Sequence, residues 1–131
     1  MSDERFALAL DHFARSLARL HEALAQPESD FMRDAIIQRF EFTFETGWKA
    51  MYRWLRLRGV DVDEDAWSTI PEAFKRRLIT DAKRWGDMRR YRNLTSHTYN
   101  EPLAIEVAAF VRSHAAPLLD SLLQALRERA T

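Results

Sequence analysis

From Phe6 to Leu24 the apolar residues Phe6, Leu10, Phe13, Leu17, Leu20 and Leu24 return at alternating intervals of four and three. Side chains three and four apart share one face of a helix, so this spacing specifies an amphipathic helix whose stripe must find a partner. The same rhythm recurs in Phe40, Phe44, Trp48, Met51 and Leu55, and again in Leu103, Val107, Phe110, Val111, Leu118, Leu122 and Leu126. Phe40, Phe42 and Phe44 alternate as a strand would, but helical spacing continues beyond them with no turn signal, and length decides for helix. With three glycines and four prolines in 131 residues, the chain has few places to turn. The expected fold is all-α, an up-and-down bundle of four principal helices with a short extra helix, in one domain over residues 1–131.

Local signals place the elements. The first helix is expected from Asp3 to Ala25, ahead of Pro27, and the second from a cap at Ser29 or Asp30 to Gly59. A short helix is expected over Pro71 to Ile79, with Ser68 or Thr69 among its cap residues. Thr80 or Asp81 caps the next, which carries Trp85, Met88 and Arg92. Asn100 caps the last, with Pro102 in its first turn; Pro117 then breaks it into a kink or two abutting helices, because its ring presses on the carbonyl of Ser113. The aromatic residues of the second helix read as core rather than as a base-stacking surface. Glu41, Glu45 and Lys49, four apart, read as a solvated ridge with weak ion pairing. His12 and His21 fall off the first seam and belong to the surface, and His114 reads as a satisfied core histidine.

Composition removes several function classes. Apolar residues are 47% and charged residues 31% of the chain, a globular balance with no apolar run able to span a bilayer and no signal-like start, so a cytoplasmic protein without a membrane partner is expected. Cysteine is absent, which excludes disulfides, thiolate metal sites and a cysteine nucleophile. Asp61, Asp63, Glu64 and Asp65 lack the preceding strand and the Gly-Ser phosphate loop that a nucleotidyltransferase needs, so the chain is not expected to be that catalytic subunit. Net charge is zero, yet Lys75, Arg76, Arg77, Lys83, Arg84, Arg89, Arg90 and Arg92 face only Asp81 and Asp87 within one segment. That stripe suits a polyanion such as RNA, or else a solvated helix face.

The basic segment runs into Arg92-Asn93-Leu94-Thr95-Ser96-His97-Thr98-Tyr99-Asn100-Glu101. Arg92 offers a planar, permanently charged fork for phosphate oxygens, and His97 can give or take a proton near neutral pH. Tyr99 adds a phenol two residues on. The alternative is a hydrogen-bonded helix end. A Ser96 and His97 nucleophile pair is disfavoured because adjacent helical residues point about 100° apart, and His97 with Glu101 makes too small a ligand set for a metal. No metal and no cofactor are expected.

The run Gln38-Arg39-Phe40-Glu41-Phe42-Thr43-Phe44-Glu45 with Trp48-Lys49, and above all the segment from Arg92 to Glu101, closely resembles the nucleotidyltransferase substrate-binding protein family within the HEPN superfamily. An arginine, four residues, a histidine, one residue and a tyrosine is similar to the signature of HEPN toxins. The resemblance implies a dimeric HEPN-like helical bundle that acts as a metal-independent endoribonuclease toxin. It also implies a minimal nucleotidyltransferase antitoxin, encoded nearby, that adenylylates Tyr99, with the two proteins assembling as a heterotetramer or larger. The family label itself implies an alternative, a non-catalytic subunit that binds substrate or nucleotide for a nucleotidyltransferase supplied in trans. A purely structural helical dimer is the third reading.

Helix geometry favours a dimeric site independently. Five residues of α-helix turn by about 140°, so Arg92 and His97 do not share a ridge, whereas Asn93 and His97 do. A twofold axis through this face collects two arginines and two histidines, and places Met88 and Tyr91 beside the interface. In that arrangement His97 is the acid-base group, Arg92 stabilises charge and Asn93 orients, while Ser96, Tyr99 and Glu101 contact substrate or carry the modification.

Overall fold

The computed structural model describes residues 2–130. Its helices are α1 (Ser2–Leu24), α2 (Asp30–Leu57), α3 (Ala66–Lys75), α4 (Ala82–Leu94), α5 (Glu101–Phe110) and α6 (Ala116–Arg129), and no strand occurs among the described residues. This is the expected up-and-down bundle: α1, α2, α4 and the α5–α6 rod are the principal helices, and α3 is the short addition.

The first seam closes as its spacing requires, with Phe6, Phe13, Leu17 and Leu20 buried and Leu10 and Leu24 half-buried at its margin. Its partner is α2, whose Ile36, Phe40, Phe44, Met51 and Leu55 are buried. Gly47 sets how closely the two helices approach, since a Cβ there would stand 3.2 Å from the ring of Phe13. Buried Thr43 does not waste its hydroxyl: it reaches the carbonyl of Ser16 across the seam at 3.1 Å. Ser29 caps α2 through Met32 N–H at 3.1 Å. Gly59, at φ +80°, ends it with Val60 N–H on the Leu55 carbonyl, a left-handed turn that glycine adopts without Cβ strain.

The short helix starts five residues earlier than expected. Asp65 caps it, accepting from Ser68 N–H at 2.6 Å, so Pro71 lies inside the helix and Ser68 and Thr69 belong to its first turn. An N-terminal cap needs an extended residue whose side chain reaches two or three residues on, and Asp65 has that backbone (φ −153°, ψ 160°). The acidic connection therefore serves local structure. The helix also stops at Lys75 rather than Ile79, because Arg77 turns left-handed (φ 59°) and Leu78 N–H closes on the Ala73 carbonyl, after which Leu78 and Ile79 drop into the core. From the far end of the chain, Arg129 donates to the Arg76 and Arg77 carbonyls at 3.3 and 2.9 Å and fixes this corner.

Pro117 has the anticipated effect through a specific device. Val111–Ala115 form one π turn in which Ala116 N–H bonds the Val111 carbonyl, widening the helix where the proline ring would meet the Ser113 carbonyl. Buried Phe110, Val111, Ala115 and Leu119 carry the apolar stripe across the junction. His12 and His21 are on the surface, although His21 lies 2.7 Å from Asp120 and so joins α1 to α6.

Candidate functional site

Asp81 caps α4 through Arg84 N–H at 3.0 Å. The helix buries only Trp85 and Met88, and its charged residues are held by other means. Met88 is fully buried, which corrects its expected place beside a protomer interface. Tyr91 is also committed within the chain: its ring stacks on Phe110 at 4.3 Å and its hydroxyl donates to Glu106 at 2.6 Å. That bond, with some burial, holds the phenol above the usual tyrosine range.

Arg92 docks on α2. Its Nε meets Glu45 Oε2 at 3.1 Å and its Nη1 lies 3.4 Å from Glu41 Oε2. Glu45 is held in turn by Trp48 Nε1 at 3.2 Å. Glu41 lies 2.9 Å from the Thr95 hydroxyl, which can alternatively donate to the Arg92 carbonyl at 2.8 Å. The solvated-ridge expectation thus fails for Glu41 and Glu45, which are half-buried and clamp the arginine, and holds for exposed Lys49. An arginine on a helix with little apolar face needs counter-charges, and residues 41, 45 and 48, four and three apart, share the face that supplies them. That spacing beside an apolar stripe was the available signal; nothing local marks Thr95.

After Leu94 the helix tightens into a 3-10 turn over Thr95–His97. Thr98 Oγ1 bonds the Thr95 carbonyl at 2.9 Å, Asn100 N–H bonds the His97 carbonyl at 3.2 Å, and Asn100 caps α5 through Leu103 N–H at 3.1 Å. The turn displaces His97 from the helical ridge it was expected to share with Asn93, because α-helical phase ends at Leu94. His97 is exposed, its imidazole has no hydrogen-bond partner among the described residues, and its ring meets Tyr99 edge-on at 6.3 Å. Tyr99 is 87% exposed, an unusual state for a tyrosine in a folded chain.

Two separate cavities flank this corner. Arg92 and Asn93 line one of about 450 Å³ with Glu45, Trp48, Trp67 and Arg89. Tyr99 and Glu101 line another of about 430 Å³ with Asp30, Arg33, Asp34 and Thr98. They share no residue, so one chain does not gather Arg92, His97 and Tyr99 into one pocket. Ser96 is exposed between them on the 3-10 turn. The cation beside Tyr99 is Arg33, already paired with Asp30 at 3.0 Å and Glu28 at 3.6 Å. Among the described residues no three histidine or carboxylate side chains gather as a metal site would require.

This fold and site define a class. The chain matches the family model "nucleotidyltransferase substrate binding protein like" over residues 8–128 and belongs to that HEPN-like family. It is 36% identical over 99 residues to a probable ribonuclease HepT of Haemophilus influenzae, an alignment covering 71% of this chain and 66%, just under two thirds, of that protein. A crystal structure from Thermus thermophilus superposes with a TM-score of 0.79 at 38% identity, covering 88% of this chain and 98% of the other. A second structure, from Haemophilus influenzae, is described as the fold of a substrate binding domain of a nucleotidyltransferase. It superposes with a TM-score of 0.68 at 27% identity over 95% of this chain and 98% of its own.

Proposed function

We propose that the protein is a HEPN-type endoribonuclease toxin whose partner is a minimal nucleotidyltransferase antitoxin. The observation that carries this reading is the pairing of a clamped Arg92 with an exposed, uncommitted His97 five residues on, in a chain similar to a probable ribonuclease. Acid-base chemistry needs an imidazole whose nitrogens are not consumed by the fold, and charge stabilisation needs a cation that does not reorganise. His97 takes the proton of a ribose 2′-hydroxyl as that oxygen attacks the adjacent phosphorus. The bond to the 5′-oxygen breaks, and the His97 of a second protomer, or a water, protonates the leaving oxygen. The products are a 2′,3′-cyclic phosphate and a 5′-hydroxyl, and no metal takes part. Arg92 stabilises the negative charge that develops on the phosphoryl oxygens, and Asn93 orients His97 or the substrate.

A homodimer completes the site, since one chain places Arg92 and Tyr99 in different cavities. Exposed Ser96 is the better probe of that interface: Ser96→Arg disperses the dimer without touching the core, and sedimentation of the unaltered chain as a monomer at micromolar concentration overturns the twofold arrangement. The 87% exposure of Tyr99 supports its adenylylation by the partner, because a modifying enzyme must reach the phenol oxygen. AMP there adds bulk and negative charge beside His97 and opposes RNA. Intact mass after incubation with the partner, ATP and magnesium gains one AMP per chain, and Tyr99→Phe gains none.

The deciding experiment is the purified chain on total RNA in chelator. Cleavage that vanishes with His97→Ala supports the ribonuclease. Intact RNA favours the second reading, a substrate-binding subunit for a nucleotidyltransferase, which the likeness to the second Haemophilus structure supports.

A further inference from the structure

Helices α3 and α4 leave a groove of about 610 Å³ between them, walled by Trp67, Ile70, Pro71, Phe74 and Trp85, with Gly86 at its side. The wall is apolar and open: Trp67 is 70% and Phe74 43% exposed. Trp48, Trp54 and Trp85 are buried, so Trp67 is by far the most exposed of the four tryptophans. A Cβ added to Gly86 would meet no atom within 4 Å, so space continues beside that residue as well. The charged side chains at the rim are both cations. Lys75 is paired with Glu72 at 3.0 Å, while the Arg89 guanidinium carbon lies over the Trp67 ring, 3.8 Å from its centroid. Ala66, Trp67 and Arg89 also line the cavity of Arg92 and Asn93, whose far wall carries the carboxylates Glu45, Glu64 and Asp65, so the groove adjoins the candidate site on its Arg89 side.

An open apolar groove with an arginine over an exposed indole suits an aromatic base attached to phosphates. Bases of single-stranded nucleic acid stack on exposed aromatic rings and on guanidinium planes, while the backbone follows cations. We propose that the α3–α4 groove seats a nucleobase of single-stranded RNA against Trp67, with the adjoining phosphates passing Arg89 toward Arg92. This subsite rests on the ribonuclease reading for its purpose, though its occupancy can be measured without cleavage.

The test titrates the full chain with a single-stranded 2′-O-methyl oligonucleotide, which presents bases and phosphates but no nucleophilic hydroxyl. Tryptophan emission is quenched on binding, and the quench is absent in Trp67→Phe. By fluorescence anisotropy of a labelled oligonucleotide, Trp67→Ala weakens binding about ten- to a hundredfold. Gly86→Leu, which fills the groove from a helical position with room for a side chain, weakens it comparably. Circular dichroism confirms the fold of both. Unchanged affinity in the two variants overturns the proposal. So does an equal quench by free mononucleotides with no gain from chain length, which assigns the groove to a free nucleotide, or a Trp67→Ala effect on sedimentation alone, which assigns it to a second copy. Quenching through Trp67 in a chain that cleaves no RNA keeps the subsite and removes the ribonuclease. Cleavage with an unaltered KM in Trp67→Ala does the reverse.

Discussion

The α1–α2 pair and the α4 corner are held by different forces. Between α1 and α2 a continuous apolar seam runs from Phe6 past Phe13 to Leu20, opposed by Phe40, Phe44 and Met51. Helix α4 reaches the core through Trp85 and Met88 and is otherwise held by Arg92 on Glu41 and Glu45 and by Tyr91 on Phe110 and Glu106. Burying apolar area is worth about 25 cal/mol per Å², while partly exposed ion pairs are worth roughly 0–1 kcal/mol. The pair therefore supplies stability and the corner supplies placement, so side chains at the corner can be spent on chemistry at little cost to the fold.

That contrast is open to measurement. The largest effect belongs to the seam: Phe13→Ala should lower unfolding free energy by about 3–5 kcal/mol in chemical denaturation, and a loss below about 1 kcal/mol would break the comparison. At the corner, His97→Ala and Arg92→Ala should each reduce RNA cleavage on the order of a hundredfold. The His97 variant should unfold within about 0.5 kcal/mol of the unaltered chain, as exposed positions do. A smaller effect should come from the clamp. Glu45→Gln keeps the shape but removes the charge that fixes Arg92 Nε, and should lower cleavage about tenfold through misplacement while costing at most about 1 kcal/mol of stability. Cleavage unchanged in Glu45→Gln would show that Arg92 needs no clamp.

The smallest effect is one of pH. Hydrogen bonds from Lys75 and Arg76 hold Glu72 below the usual carboxylate range. A depressed carboxylate contributes stability that is present above its unfolded value and lost as pH falls through its folded one. Glu72→Gln should therefore lower stability slightly near neutrality and leave it unchanged in acid, which flattens the acid limb of the stability curve. A variant that lost stability equally at neutral and acid pH would point to packing instead.

Particular residues show how much could be read in advance. The seam spacing, the caps at Ser29, Asp81 and Asn100, and the interruption at Pro117 were legible because each follows from neighbours within a turn or two. Asp65 was passed over as the cap of α3 in favour of Ser68 or Thr69, because its capping role depends on an extended backbone that composition does not display. At the candidate site, Arg92, Asn93 and His97 were named from their chemistry and spacing, and Ser96, Tyr99 and Glu101 with the family resemblance beside them. The clamp by Glu41 and Glu45 was not, since its members lie 51 and 47 residues from Arg92.

The sequence by itself determined an all-helical chain with a basic segment leading into Arg92 and His97, because helical periodicity, capping and side-chain chemistry are local properties. Only the tertiary structure decided that Arg92 is held by two carboxylates of α2 and that Met88 faces inward. It likewise decided that Tyr99 stands in solvent apart from the Arg92 cavity and that Trp67 opens a groove beside it. Those outcomes depend on the rotation of one helix against another and on a helix that tightens after Leu94. Packing the whole chain sets both, and no short window of residues contains them.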